Sequence, residues 1–229
     1  MKIVNKLAND YYDRKSKAQW VYDKYKSVLE ESILDVGADE LYLKPLLEID
    51  VYYKGIGFGS NPDLVKIDLE KDSIPFSNNS FNCVICLDVL EHLENIHAMF
   101  DKLCALSKRY VLISLPNPWA SMMENFESKR YNQETNIKFY GLPKERPEDR
   151  HKWFYSLSEA ISFVEYRAQK NDMEILDFYK VKKKDAIHSG LSNEEVRKIR
   201  EARSILFRND MDFEEFNAWT LWYLLEKKS

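Results

Sequence analysis

No run of this 229-residue sequence approaches the ~18 consecutive apolar residues that a membrane-spanning helix requires. The opening Met1-Lys2-Ile3-Val4-Asn5-Lys6 leads into charged residues and not into an apolar signal core. These absences predict a cytoplasmic chain without membrane insertion. Cysteine is scarce. Cys83, Cys86 and Cys104 are odd in number, so they form no disulfide framework and fit a reducing compartment. Charge of one sign is lacking too. Against 38 Asp and Glu stand 34 Lys and Arg, and a net charge of −4 gives no general field for nucleic acid or an anionic membrane. The short run Lys182-Lys183-Lys184 reads as a solvated strand end or loop. Repeats and low-complexity tracts are absent from the sequence.

What is present suits one ordinary folded domain. The length is enough to bury a core without metals or cross-links. Aromatic residues reach 14%, which suggests large pockets or interfaces as well as core. Cys83 and Cys86 have the spacing of a redox or zinc pair, but they lie in the apolar run Cys83-Val84-Ile85-Cys86-Leu87. Residues three apart on a strand point to opposite faces, so these read as buried core thiols. No metal ligands are assigned.

Residues 8 to 30 carry Tyr11, Ala18, Val21, Tyr25 and Val28 at helical spacing. Short apolar strands follow at 32–36, 51–53, 64–68, 81–87 and 110–115, with a helix expected over 40–48 and another over 96–106. Asp88-x-x-Glu91 resembles a capping box, and Ser156-x-x-Glu159 and Ser192-x-x-Glu195 open two more helices, to about Lys170 and Phe207. Met173 to Val181 and Phe216 to Glu226 read as late strands. Continuous apolar strands joined by crossovers predict a parallel sheet covered on both faces, with ligands at the carboxyl ends of its strands. The divisions expected are a helical cap at 1–31, a core at 32–116, an insertion or lid at 117–155 and the rest of the sheet at 156–229.

Three stretches together resemble the class I, S-adenosylmethionine-dependent methyltransferases of the small-molecule type. They are Ile33-Leu34-Asp35-Val36-Gly37; Ile74-Pro75-Phe76-x-x-x-Ser80-Phe81 continuing through the strand to Glu91-His92-Leu93; and the fifth strand ending in Leu115-Pro116-Asn117. The resemblance implies an α/β Rossmann-like fold with a seven-stranded mostly parallel sheet, helices on both faces, an N-terminal helix and an insertion. It implies S-adenosylmethionine as cofactor and a small-molecule methyl acceptor, loosely a sugar or surface-glycan precursor. The cofactor residues it implies are Asp35, Gly37 and Ala38 in the first loop, Gly57 at the ribose, Asp68 and Leu69 at the adenine, and Leu87 and Asp88 along the methionine arm.

The sequence departs from the family pattern twice. Only the first glycine of the first loop is kept, in Gly37-Ala38-Asp39-Glu40-Leu41, and Gly57 stands where an acid is expected. An alternative is therefore a methyltransferase-like protein that binds or regulates without catalysing. On that alternative, Gly57→Asp is expected to restore cofactor affinity, while on the enzyme reading Asp68→Ala is expected to weaken it. Gly55-Ile56-Gly57-Phe58-Gly59-Ser60 looks like a dinucleotide loop, but Ser60 replaces its third glycine and Asn61-Pro62 follows instead of a helix.

His92 and His151 are the candidate catalytic bases, because an imidazole titrates near neutrality and methyl transfer to a hydroxyl benefits from a base. His97 and His188 read as surface residues. Asp88 and Glu91 read as capping or catalytic. Trp119, Arg130, Tyr131, Tyr140 and Trp153 either stack on a substrate or pack the lid. Tyr11 and Tyr12 either close over the cofactor or join the core.

Overall fold

The structure, a computed structural model, describes residues 11–127, 140–182, 192–206 and 218–228. Its seven strands are β1 (Ser32–Val36), β2 (Tyr52–Gly57), β3 (Val65–Lys66), β4 (Phe81–Leu87), β5 (Ser107–Pro116), β6 (Met173–Lys182) and β7 (Ala218–Lys227). They form one sheet in the order β3-β2-β1-β4-β5-β7-β6. The first five are parallel, and β7 runs antiparallel to β5 and β6. The helices are α1 (Arg14–Tyr25), α2 (Ile96–Leu106), α3 (Pro118–Glu127), α4 (Leu157–Lys170) and α5 (Asn193–Leu206).

Strand alternation divides the core between the two faces. Ile33, Cys83, Ile85, Leu112 and Trp222 point one way, onto Trp20, Val21 and Tyr25 of α1. Leu34, Val84, Cys86, Val111 and Tyr223 point the other way, onto α2 and α4 through Phe100, Leu103 and Val164. Cys83 and Cys86 are thus buried on opposite faces, and all three thiols are free. Burial pushes the Cys86 thiol well above its ordinary value. No helix among the described residues is long and apolar enough to cross a membrane.

The capping boxes at Ser156 and Glu159 and at Ser192 and Glu195 form as expected. A further box, between Asp13 and Ser16, starts α1 later than its apolar periodicity suggests. Three local expectations are corrected. The helix over 40–48 is only a 3₁₀ turn, Lys44–Leu46, because Pro45 removes a backbone donor and Leu47 is already extended. The third strand shrinks to two residues. Asp88-x-x-Glu91 caps nothing. Asp88 turns toward Lys17 and Ser114, and Glu91 is buried within the 3₁₀ turn Leu90–His92. The capping residue of α3 is Asn117, whose side chain accepts from the Trp119 amide and donates to the Ala218 carbonyl.

Candidate functional site

The carboxyl ends of β1 and β4 lie side by side, and both strands turn sharply there. Gly37 follows β1 at φ +79°, where a Cβ would sit 2.2 Å from Val89 Cγ2. Asp88 follows β4 at φ +54°, a conformation that Asp tolerates better than most residues. Between these turns, α1 and the tail of the 117–155 segment opens a cavity of about 640 Å³, within the usual range for a small-molecule site.

Asp35, Gly37, Ala38, Leu87 and Asp88 line the cavity, and so do His92 and His151. The Tyr53 hydroxyl donates to Asp35 at 2.5 Å. Lys17, from α1, pairs with Asp88 at 2.5 Å, while the Ser114 hydroxyl donates to its other oxygen at 2.6 Å. Burial pushes the Asp88 carboxyl up, but Lys17 and Ser114 more than offset it and leave it below its ordinary value.

The structure does not bring Gly57, Asp68 or Leu69 into the lining. Asp68 accepts from Lys71 Nζ at 2.7 Å and from the Glu70 amide at 3.0 Å. Leu69 is buried in the core under α2. Gly57 is pressed against the first loop, where a Cβ would lie 2.7 Å from the Ala38 carbonyl oxygen, and Gly59 is pressed still closer to Asp39. An acid at position 57 would meet that backbone, against the expectation that Gly57→Asp restores cofactor affinity.

The tail of the segment 117–155 is laid across the turn after β4. The Lys152 amide donates to the Glu91 carbonyl at 2.9 Å, and the Trp153 indole donates to the Leu93 carbonyl at 2.7 Å. This brings His151 edge-on to His92, with ring centroids 4.5 Å apart. His92 Nδ1 meets Asp149 Oδ1 at 2.6 Å, and His151 Nδ1 meets the Tyr140 hydroxyl at 2.7 Å. Both Nε2 atoms turn toward Glu91, which is 1% exposed. Burial, and then Asp88, push the Glu91 carboxyl well above its ordinary value. Trp119 and Tyr140 pack edge-on against Phe154, so these aromatics pack on one another within the 117–155 segment. Arg130, Tyr131 and His188 lie outside the described residues. Tyr11 and Tyr12 both line the cavity, Tyr11 accepting from the Trp222 indole at 3.2 Å and Tyr12 standing at the rim, 91% exposed.

Sequence reasoning missed Arg14 and Lys17. The signal was available, because Arg14, Lys17, Ala18 and Val21 follow i, i+3, i+4, i+7 spacing and place two cations on the inward stripe of α1. Trp219 and Thr220 also reach the cavity from β7, and nothing in the linear sequence marks them.

Asp35 gives a pH prediction. Burial pushes its carboxyl up to about 6, against the lowering influence of Tyr53 and Lys17. The folded state therefore holds this proton where the unfolded chain has released it. That contribution to stability is complete below the ordinary value near 3.8 and is lost as pH rises through about 6. Asp35→Asn is expected to flatten the fall in melting temperature between pH 4 and 7 and to be more stable than the parent at pH 7, by at most about 3 kcal/mol. Parallel pH-dependent melts of the two chains check it, and identical slopes would remove the assignment.

The strand order, the reversed seventh strand and a cavity at the β1 and β4 ends are those of the Rossmann-like fold of class I, S-adenosylmethionine-dependent methyltransferases. The methyltransferase domain family profile matches residues 12–160, and the chain belongs to this family. A comparison with curated proteins finds no match. Among solved structures, the chain is similar to the small RNA methyltransferase HEN1 at 11% identity and TM-score 0.58, covering 98% of this chain and 27% of that one. It is similar to the cyclase SpnF at 10% identity and TM-score 0.55, covering 99% and 87%. It is also similar to magnesium protoporphyrin IX methyltransferase from Synechocystis PCC 6803, with S-adenosylhomocysteine bound, at 13% identity and TM-score 0.50, covering 96% and 90%. At these identities the shared property is the fold.

S-adenosylmethionine is the cofactor of this class, and the residues here fit its two ends unequally. At the methionine end the cavity is roomy, with Asp35, Asp88, Arg14 and Lys17 as charged partners. The first-loop amides are less available, since Gly37 and Ala38 both donate to the Ile56 carbonyl, at 2.8 and 3.0 Å. At the ribose end, Gly57 and Gly59 touch backbone where an acid is expected.

Proposed function

We propose that this chain transfers the methyl group of S-adenosylmethionine to an oxygen of a small polar acceptor, of the kind found in a sugar or surface-glycan precursor. One observation carries the reading: a single cavity is lined both by the turns after β1 and β4 and by the His92 and His151 pair. When bound, the cofactor supplies an activated methyl on a sulfonium, so the main task left to the protein is alignment. Asp35, Gly37, Ala38, Leu87 and Asp88 are proposed to hold the methionine half. Tyr11, Tyr42 and Trp219 give the cavity aromatic surface, on which a sugar ring can stack. Asp149 and Tyr140 hold the two imidazoles in the cavity wall, where they are proposed to position the acceptor hydroxyl.

Calorimetric titration with S-adenosylmethionine and S-adenosylhomocysteine tests the reading. Micromolar binding is expected, weakened about ten- to a hundred-fold by Asp88→Ala and little changed by Asp68→Ala. Absence of binding at millimolar ligand would overturn it and leave a binding or regulatory role for the fold.

A further inference from the structure

We propose that Glu91, His92 and His151 bind one divalent transition-metal ion on the wall of the cavity. Their donor atoms all lie within 4.8 Å of one another. The two Nε2 atoms are 3.6 and 3.8 Å from Glu91 Oε1, too far for a hydrogen bond. Two ligands that share an ion at ~2.1 Å each are themselves about 3–4 Å apart.

Glu91 is the second, independent sign. Its side chain is 1% exposed, and neither carboxylate oxygen has a hydrogen-bond partner. A carboxylate buried in that way is costly unless a cation or a donor compensates it. Lys17 is committed elsewhere, to Asp88.

The outer contacts are the third. Each imidazole is held through Nδ1, His92 by the Asp149 carboxylate and His151 by the Tyr140 hydroxyl. Metal-binding histidines are oriented in this way, by a partner on the ring nitrogen that lies away from the ion. Asp88 is not a ligand, because Lys17 and Ser114 occupy its oxygens.

Two imidazoles and one carboxylate suit the manganese-to-zinc series better than magnesium or calcium, which favour all-oxygen sites. Three protein ligands leave at least one position for water or an acceptor oxygen. All three residues line the cavity, so an ion there would act as a Lewis acid on that oxygen. This role rests on the methyl-transfer reading, but ion binding does not.

The test is titration of the chelator-treated full chain with Co²⁺, read by its visible absorption and by calorimetry, without cofactor or acceptor. One ion per chain is expected, with a rise in melting temperature. Glu91→Gln, which keeps the shape and removes a buried charge, is expected to fold and to lose both signals. Tyr140→Phe and Asp149→Asn keep every ligand and are expected to weaken binding by about 10- to 100-fold. No Co²⁺ uptake by the parent at millimolar concentration, or equal uptake by folded Glu91→Gln, would overturn the proposal. The cofactor titration run on the same metal-free chain keeps its failure distinct from failure of the methyl-transfer reading.

Discussion

Aspartate in place of Gly57 is expected to lower the melting temperature sharply and to bring no gain in cofactor affinity. Gly57 closes β2 at φ +154°, and any Cβ there falls 2.7 Å from the Ala38 carbonyl oxygen and 3.3 Å from the Ala38 nitrogen. Those atoms cannot step aside freely, because the Gly37 and Ala38 amides are both anchored on the Ile56 carbonyl. Overpacking of this type costs about 1–3 kcal/mol, and a side chain in this extended region of positive φ adds about 1–3 kcal/mol. For a chain of this size the total corresponds to a fall of roughly 5–20 °C. Gly57→Ala should suffer most of the same loss, which separates the clash from the new charge. Thermal melts of both variants check this, and an unchanged melting temperature together with tighter S-adenosylmethionine binding would show that the loop has room for the acid after all.

Trp222→Ala is expected to cost about 3–5 kcal/mol, and to loosen α1, which forms one wall of the cavity. Trp222 is fully buried on the α1 face of β7. Its ring lies 4.7 Å from Trp20 of α1, its indole donates to the Tyr11 hydroxyl, and Lys17 Nζ sits 5.4 Å above it. These contacts hold α1 on the sheet. The same helix delivers Lys17 to Asp88 and Arg14 to Asp39. Truncation should therefore lower the melting temperature by roughly 6–20 °C, and expose the first turn of α1 to proteolysis before the rest of the chain unfolds. Proteolysis that begins instead within β4 or β5 would mean that the helix is held by other contacts.

Much of the fold was legible because its signals are local. Continuous apolar strands 81–87 and 110–115 can only be buried on both faces, and they form the centre of the sheet. The capping boxes at Ser156 and Ser192 fix helix starts through two reciprocal hydrogen bonds within four residues. The misread stretch, 40–48, has helical apolar spacing but carries Pro45, and the pull of Leu41 and Leu43 into the core settles its path.

The site divides along the same line. Linear sequence determined the strand ends that bound the cavity, because Asp35, Gly37, Leu87 and Asp88 each sit one or two residues from an apolar strand whose limits are readable. It also singled out His92 and His151, though as separate candidates. Only the tertiary structure decided that these two histidines, far apart in the chain, meet over Glu91, since the contact depends on how the tail of the insertion lies across the turn after β4. Only it decided that Asp88 serves a lysine from α1 instead of capping a helix, and that Gly57 is pressed against the backbone of the first loop. The physical reason is common to all three. A strand's burial follows from its own residues, whereas the partner of a polar side chain depends on which distant segment is folded against it.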